Sequence, residues 1–517
     1  MPSTIAVVLG SAGAVYMFLA ALLHLTQDPK EPPMLKTSIP FIGPVLGSLK
    51  GMPKFMVEMR DKYNLPIYTL RMPGSRIYVV NSTSLVPQVQ KQYKTIAFQP
   101  MAAMAAANVM NVGKAGNAII GSDRMFEDDS YLATFVPFIA PAMSPGPGLD
   151  TMTAEATRIA ADSIDKISRK GPVNVELFEW VRHQVFEAET AAMYGEGNPL
   201  RDPALEAAWY DFEPGIVFHM IKAWPSVLAR KSLHARDKLL IPAFEKYYDD
   251  EHHLKASLLV QCQYNHNIHH GLRGRDVAAT EIGHMVAFLT NTMASAYWMV
   301  YYIFSDPVVL GEVRQELYEM AHVDENGVST IDMAKIKTSA PILNSTWQEM
   351  LRYVHIGISA RLVMEDVMLD NKYLLKKGST VMTAAPIQHT DPALWGSTVG
   401  NFDHRRFLRQ PGQKRANAAS LRAFGGGHVL CPGRHFSSAF IMTFAALMVL
   451  RFDIECLSKD GTWSEPRKFL PMTTSIPTPK DNLKVRLIPR DDRKWKIGFS
   501  ISSKEPNTTV EGNTTKP

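Results

Sequence analysis

The stretch "FGGGHVLCPGRHF", Phe424 to Phe436, decides how this chain is read. Three consecutive glycines leave the loop without side chains and open backbone conformations closed to other residues, so a neighbour can approach it closely. Cys431 follows, ahead of "GRHFSSAFIMTFAALMVLRF", whose apolar content from Phe436 to Phe452 predicts a buried helix that Cys431 starts. A thiol at a helix N-terminus feels the positive end of the dipole and free N–H groups, both of which favour the thiolate. Pro432 suits a first helical turn. Read alone, the segment fits either a functional thiolate or a buried structural cysteine beside a glycine turn.

The 517 residues contain no internal linker and no repeat, so one large domain is expected where length alone allows about three. Cys262, Cys431 and Cys456 are too few and too scattered for a disulfide framework and suit a reducing compartment. A net charge of +5, from 55 basic and 50 acidic residues, is close to balance and argues against nucleic acid as a partner. The N-terminus is different. "IAVVLGSAGAVYMFLAALLHL", Ile5 to Leu25, carries no Asp, Glu, Lys or Arg. As a helix it spans about 31 Å, against a hydrocarbon core of roughly 30 Å. A signal peptide is the competing reading, but the basic n-region is missing and the apolar run is long. Lys30, Lys36 and Lys50 all follow the run, which places the bulk of the chain on the cytosolic side of a single-pass anchor. The expected organisation is an anchor at 1–27, a stiff Pro/Gly-rich connector at 28–50, a large domain at 51–494 and a polar, disordered tail at 495–517.

Within the domain, "PIYTLRM" and "RIYVVNS" predict an N-terminal sheet. From Thr151 to Met320 the periodicity is helical, and the run from Asp276 to Ser305 is apolar nearly all round from Met285 onward, which predicts a helix buried across the centre. Strand patterns return in "ARLVMEDVMLD" and "STVMTAAP". The fold class is mainly α with minor β sheets. "NHNIHHGLR", Asn265 to Arg273, groups three histidines but reads as a solvated loop rather than a metal site.

Phe424, Gly427, Cys431 and Gly433 have the spacing F-x-x-G-x-x-x-C-x-G, and here the chain resembles the cytochrome P450 family. Three partners occur upstream in order. "WQEMLRYVHIGISAR" carries Glu349 and Arg352 on one helical face, where an ion pair can form. "FDHRRFL" offers Arg406 where the family supplies a second Arg to that Glu, with His404 in place of the usual Pro. "FLTNTMASAYW" places Asn291 and Thr292 where the family has an acid followed by Thr. Asn for the acid, "CPGR" and "LFEWVRHQVFEAETAAMYG" are similar to the branch containing sterol 7-alpha-hydroxylases and prostacyclin synthase, in a fungal-like member.

The resemblance implies heme b with Cys431 as the axial thiolate on iron, Phe424, Gly427 and Gly433 shaping its loop, and Glu349, Arg352 and Arg406 bracing the structure beneath. It implies that Thr292, beside Asn291, delivers protons during oxygen activation; the bland alternative is a Thr bonded to its own helix carbonyl. Val429 stands where the family has a basic residue, so His428 or Arg361 is expected at the heme propionates. The implied substrate wall is Ala287, Phe288 and Leu289, Ile356 to Ser359 (Ile358 and Ser359 among them), and Ser475 to Pro477 around Ile476. The implied activity is a monooxygenase acting on a hydrophobic terpenoid or steroid-like molecule of secondary metabolism at the endoplasmic reticulum membrane. NADPH–cytochrome P450 reductase is the implied electron donor, docking on Lys414, Arg415, Arg422 and Arg434. The rivals are a heme-thiolate isomerase or dehydratase, and a non-catalytic heme-binding protein.

Overall fold

The computed structural model describes residues 2–49, 51–222, 224–408, 419–470, 474–490 and 493–502. The central helix, Arg275–Phe304, is the axis of the domain. It packs against helices Leu177–Tyr194, Ile241–Asp249, Pro307–Met320, Pro341–Val354 and Arg434–Arg451. Its all-round apolar sequence matches that position: Met299, Val300 and Ile303 are fully buried, as are Tyr297 and Trp298. The Trp298 indole N–H finds its acceptor on the Pro477 carbonyl at 2.7 Å, which pins the C-terminal turn to this helix. Local chemistry sets the helix ends. Asp306 caps Pro307–Met320 by accepting the Val308 N–H at 2.8 Å, with Pro307 at the first helical position where its missing N–H costs nothing.

The five-stranded sheet runs in the order Ile67–Met72, Ser75–Val80, Thr380–Ala384, Ile358–Val363, Ile96–Ala97. Ser75–Val80 and Thr380–Ala384 pair in parallel, and the remaining neighbours are antiparallel. This sheet carries Arg361 and the half-buried Ile358 and Ser359 beside the helical core. A second sheet joins Phe452–Cys456, Lys484–Pro489 and Val173–Glu176 at the end of the Arg434–Arg451 helix.

Four expectations are corrected. The connector is not merely a spacer: Ile42–Ser48 is helical, Leu35 N–H bonds to the Thr69 carbonyl at 3.1 Å, and buried Glu31 accepts from the Tyr78 hydroxyl at 2.7 Å. Lys50 lies outside the described residues. The tail begins later than 495, because Lys494–Gly498 pairs in parallel with Val328–Asp332 and Ser500 bonds to Asp332. The residues from 503 on lie outside the described residues. "NHNIHHGLR" is no solvated loop: helix Leu258–His269 runs through most of it, and His266 is fully buried. Its ring sits among Tyr131, Phe135 and Phe138, and burial beside His270 and His284 pushes it down to about 3. Finally, the helix after Cys431 begins at Arg434, so Cys431 and Pro432 precede it.

Candidate functional site

Cys431 sits in a loop closed by its own backbone: the Cys431 N–H donates to the Phe424 carbonyl at 2.9 Å, and Gly425 N–H to Arg422 at 3.2 Å. Two glycines are required here. Gly425 has φ +75° and a Cβ there would lie 3.0 Å from the Val429 carbonyl oxygen; Gly427 has φ +62° and a Cβ would lie 3.0 Å from Gln90. The close approach that the glycines permit is thus to Gln90 on helix Leu85–Lys91. The Cys431 thiol is half-buried and forms no disulfide. Burial pushes it up, opposed by the N–H groups of Gly433 and Arg434 and by the Arg434 charge.

Glu349, Arg352 and Arg406 meet in one buried network. Arg352 binds Glu349 bidentately, Nε and Nη2 each at 2.7 Å, and Arg406 Nε reaches both carboxylate oxygens at 3.1 Å. Neither Glu349 nor Arg352 is exposed to solvent. The guanidiniums spend their other donors on loop carbonyls: Arg352 on His389 at 2.8 Å and Val399 at 3.1 Å, Arg406 on Thr398 at 3.1 Å. The Asp403 N–H donates to Glu349 at 3.0 Å. Three charges therefore fix a loop that has little regular structure of its own. His404 and Arg405 both bind Glu312, outside this network.

Two histidines that the sequence did not single out connect the network to the Cys loop. The Arg422 N–H donates to His389 Nε2 at 2.9 Å. His355 donates from Nε2 to the Ala423 carbonyl at 3.0 Å while its Nδ1 accepts the Gly357 N–H at 3.1 Å. Both rings must be neutral to make these bonds. Burial pushes His355 down to about 4, and burial together with His355, Arg352 and Arg422 holds His389 well below its ordinary value.

The distal side is built on the central helix. Asn291 Oδ1 accepts the N–H groups of Ser475 at 2.8 Å and Ile476 at 3.1 Å, and the Ile356 N–H donates to the Ser475 carbonyl at 2.8 Å. Asn291, Ile356 and the buried Ile476 are thereby stitched into one wall. The Thr292 hydroxyl contacts the Phe288 carbonyl and donates to Glu189 Oε2 at 3.0 Å. Ala287 is exposed in the middle of this otherwise buried helix, and half-buried Phe288 packs on Phe436, ring centroids 5.3 Å apart. Leu289 lies roughly 200° round the helix from Ala287 and is buried in the helical core.

Residues 32–485 match the family model for cytochrome P450. The chain belongs to the cytochrome P450 family. It is 32% identical to the cytochrome P450 monooxygenase nodJ of Hypoxylon pulicicidum over 484 residues, covering 90% of this chain and 92% of the relative. A cytochrome P450 monooxygenase of Gibberella zeae is 26% identical, over 95% of this chain and 96% of its own. The 7-alpha-hydroxycholest-4-en-3-one 12-alpha-hydroxylase of Oryctolagus cuniculus is 22% identical, over 93% and 99%. Cytochrome P450 membership makes the protein an oxygenase whose cofactor is heme b on a cysteine thiolate.

The residues present fit that group. Arg361 and Arg422 are buried, each lacks a carboxylate partner among the described residues, and Arg422 Nε and Nη1 have no hydrogen-bond acceptor. The remaining Arg422 nitrogen, Nη2, donates to Thr383 at 3.1 Å. Burial and the neighbouring Arg361 push Arg422 down to about 10. Two buried cations facing no anion call for a dianionic ligand, and the heme propionates supply one. Arg422 is therefore no part of an exposed docking face, as the sequence reading had it; Arg434 Nη1 binds the Cys431 carbonyl at 3.0 Å, and Lys414 and Arg415 lie outside the described residues. His428 is exposed, its ring 3.8 Å from that of Tyr93.

Replacing Glu349 by Ala leaves Arg352 buried without its counter-charge and is expected to cost about 3–5 kcal/mol, read by denaturant unfolding of the purified protein. Acid has a defined effect as well. A His whose folded value lies below 6.5 stays neutral in the fold while the unfolded chain takes up a proton. His355 therefore withdraws stability as pH falls from 6.5 to about 4, by up to ~1.4 kcal/mol per pH unit. Melting temperature followed over this window should fall less steeply in His355→Gln than in the unaltered protein.

Proposed function

We propose that this protein is a membrane-anchored monooxygenase in which Cys431 ligates the heme iron and Arg361 and Arg422 hold its propionates. The observation that carries the reading is the pair of buried, unbalanced guanidiniums beside a Cys loop with a free thiol. When bound, the heme supplies reductive O2 activation, with the axial thiolate favouring O–O cleavage. The chain's own residues do the rest. Phe424, Gly427 and Gly433 shape the thiolate loop, His355 and His389 fix its entry, and Glu349, Arg352 and Arg406 hold the layer beneath. On the distal side, Asn291 holds the 475–476 turn with Oδ1, which leaves its amide N–H₂ as the donor end. Thr292 provides the hydroxyl for proton delivery.

Ala287, Phe288, Ile358, Ser359 and Ile476 form a largely apolar wall, suited to a hydrophobic substrate. A terpenoid or steroid-like intermediate of secondary metabolism is the substrate we infer, supported by similarity to a rabbit enzyme whose name specifies a sterol and to fungal monooxygenases. NADPH–cytochrome P450 reductase is the inferred electron donor. The apolar, unburied helix Ala6–Leu25 supports single-pass anchoring in the endoplasmic reticulum with a cytosolic domain. Exposed Ile221, Trp224, Val227 and Leu228 add a second apolar surface suited to a bilayer. An isomerase has no use for proton delivery, and Thr292 paired with an acid speaks for the oxygenase.

The test is turnover with reductase, NADPH and a panel of polycyclic terpenoids and sterols under isotopically labelled O2. A product heavier by one labelled oxygen, formed only with NADPH, is expected. A product of unchanged mass formed without NADPH would establish the isomerase instead.

A further inference from the structure

Thr292 touches an acid that lies on a different helix. Glu189 belongs to helix Leu177–Tyr194 and is fully buried. Its Oε2 stands 3.0 Å from the Thr292 hydroxyl, and its Oε1 has no hydrogen-bond partner. No cation comes within ion-pair distance of it among the described residues. The position beside Thr292 on the central helix, where the family places an acid, holds Asn291. That amide has no titratable proton, and its oxygen is already occupied by two backbone N–H groups.

We propose that Glu189 replaces that acid: it orients the Thr292 hydroxyl and resupplies its proton during oxygen activation. The inference rests on the oxygenase reading above. Glu189 acts through Thr292 and is a positioning residue rather than a catalytic one. An unpaired carboxyl in an apolar interior retains its proton, and burial pushes Glu189 well above its ordinary value, opposed by the Thr292 contact alone. The 3.0 Å contact has Thr292 donating to an ionised Glu189; with the proton on Glu189 the direction reverses, its O–H donating to Thr292 Oγ1 while the Thr292 proton goes to the Phe288 carbonyl that it contacts. In the step itself, the Thr292 O–H bond breaks as its proton passes to a dioxygen-derived oxygen. The Glu189 O–H breaks and a new Thr292 O–H forms. The carboxylate left behind is reprotonated by one proton from solvent, which balances the step, and no electron moves through the pair.

A Glu189 that only filled a hydrogen bond would be replaceable by Gln, and the test uses that difference. Infrared spectra of the intact protein near neutral pH are expected to show the carbonyl band of an un-ionised carboxylic acid. Burial also pushes Glu213 up to about 7, so a component of this band, not the whole, should vanish in Glu189→Gln and move in Thr292→Val. In reductase-supported turnover, peroxide released per NADPH consumed should rise several-fold in both variants. If Glu189→Gln does not accumulate folded, Glu189→Asp, which keeps a proton but withdraws the carboxyl by one methylene, reads the same contact. Absence of a component that Glu189→Gln removes overturns the proposal, as does an unchanged peroxide share in Glu189→Gln with Thr292→Val raised. An acid band in a protein with no NADPH-driven oxygen consumption removes the oxygenase reading, and the relay falls with it.

Discussion

The carboxylate of Glu349 is closed off from water and neutralises two guanidiniums, Arg352 and Arg406, and much of the site depends on that arrangement. Charges this deep are costly to bury, and the cost is offset only where every donor and acceptor is used. Here they are used on loop backbone. Arg352 donates to the His389 carbonyl, the His389 ring accepts the Arg422 N–H, and Arg422 leads directly into the Phe424–Cys431 loop. The chain of contacts runs from an ion pair on one helix to the cysteine without a break. A loop rich in glycine is thereby given a single conformation that its own sequence would not enforce.

A second constraint acts on the opposite side. Asn291 binds two backbone N–H groups of the C-terminal turn, and Trp298 binds the carbonyl of Pro477 about two turns further along the central helix. The wall formed by Asn291, Ile356 and Ile476 is held by a helix that is itself immobilised in the core. Polar groups that look like catalytic candidates thus also carry structure, and Asn291 and Thr292 divide these tasks: one faces the turn, the other the buried acid Glu189.

The sequence announced the fold through features with strong local causes. The 276–305 run, apolar from Met285 onward, followed from its periodicity, whereas the Glu349/Arg352 pair and the Cys431 loop were read through the spacing they share with the cytochrome P450 family. Arg422 was misread because sequence cannot tell an exposed basic residue from one buried by a sheet strand 39 residues away at Thr383. His355, His389 and Glu189 were passed over for the same reason: each matters through a partner distant in the chain. The histidines of "NHNIHHGLR" looked solvated because Asn and Gly surround them, whereas Phe135 and Phe138 from another helix enclose His266. Lys494–Gly498 looked like tail because the strand it pairs with lies more than a hundred residues earlier.

The central claim is that Cys431 is the thiolate beneath the heme, and the most direct measurement is a carbon-monoxide difference spectrum of the reduced, folded protein. The account predicts a strongly red-shifted Soret band that disappears in Cys431→Ala while the variant remains folded. A folded, heme-loaded protein without that band, or a band that survives in Cys431→Ala, would contradict it.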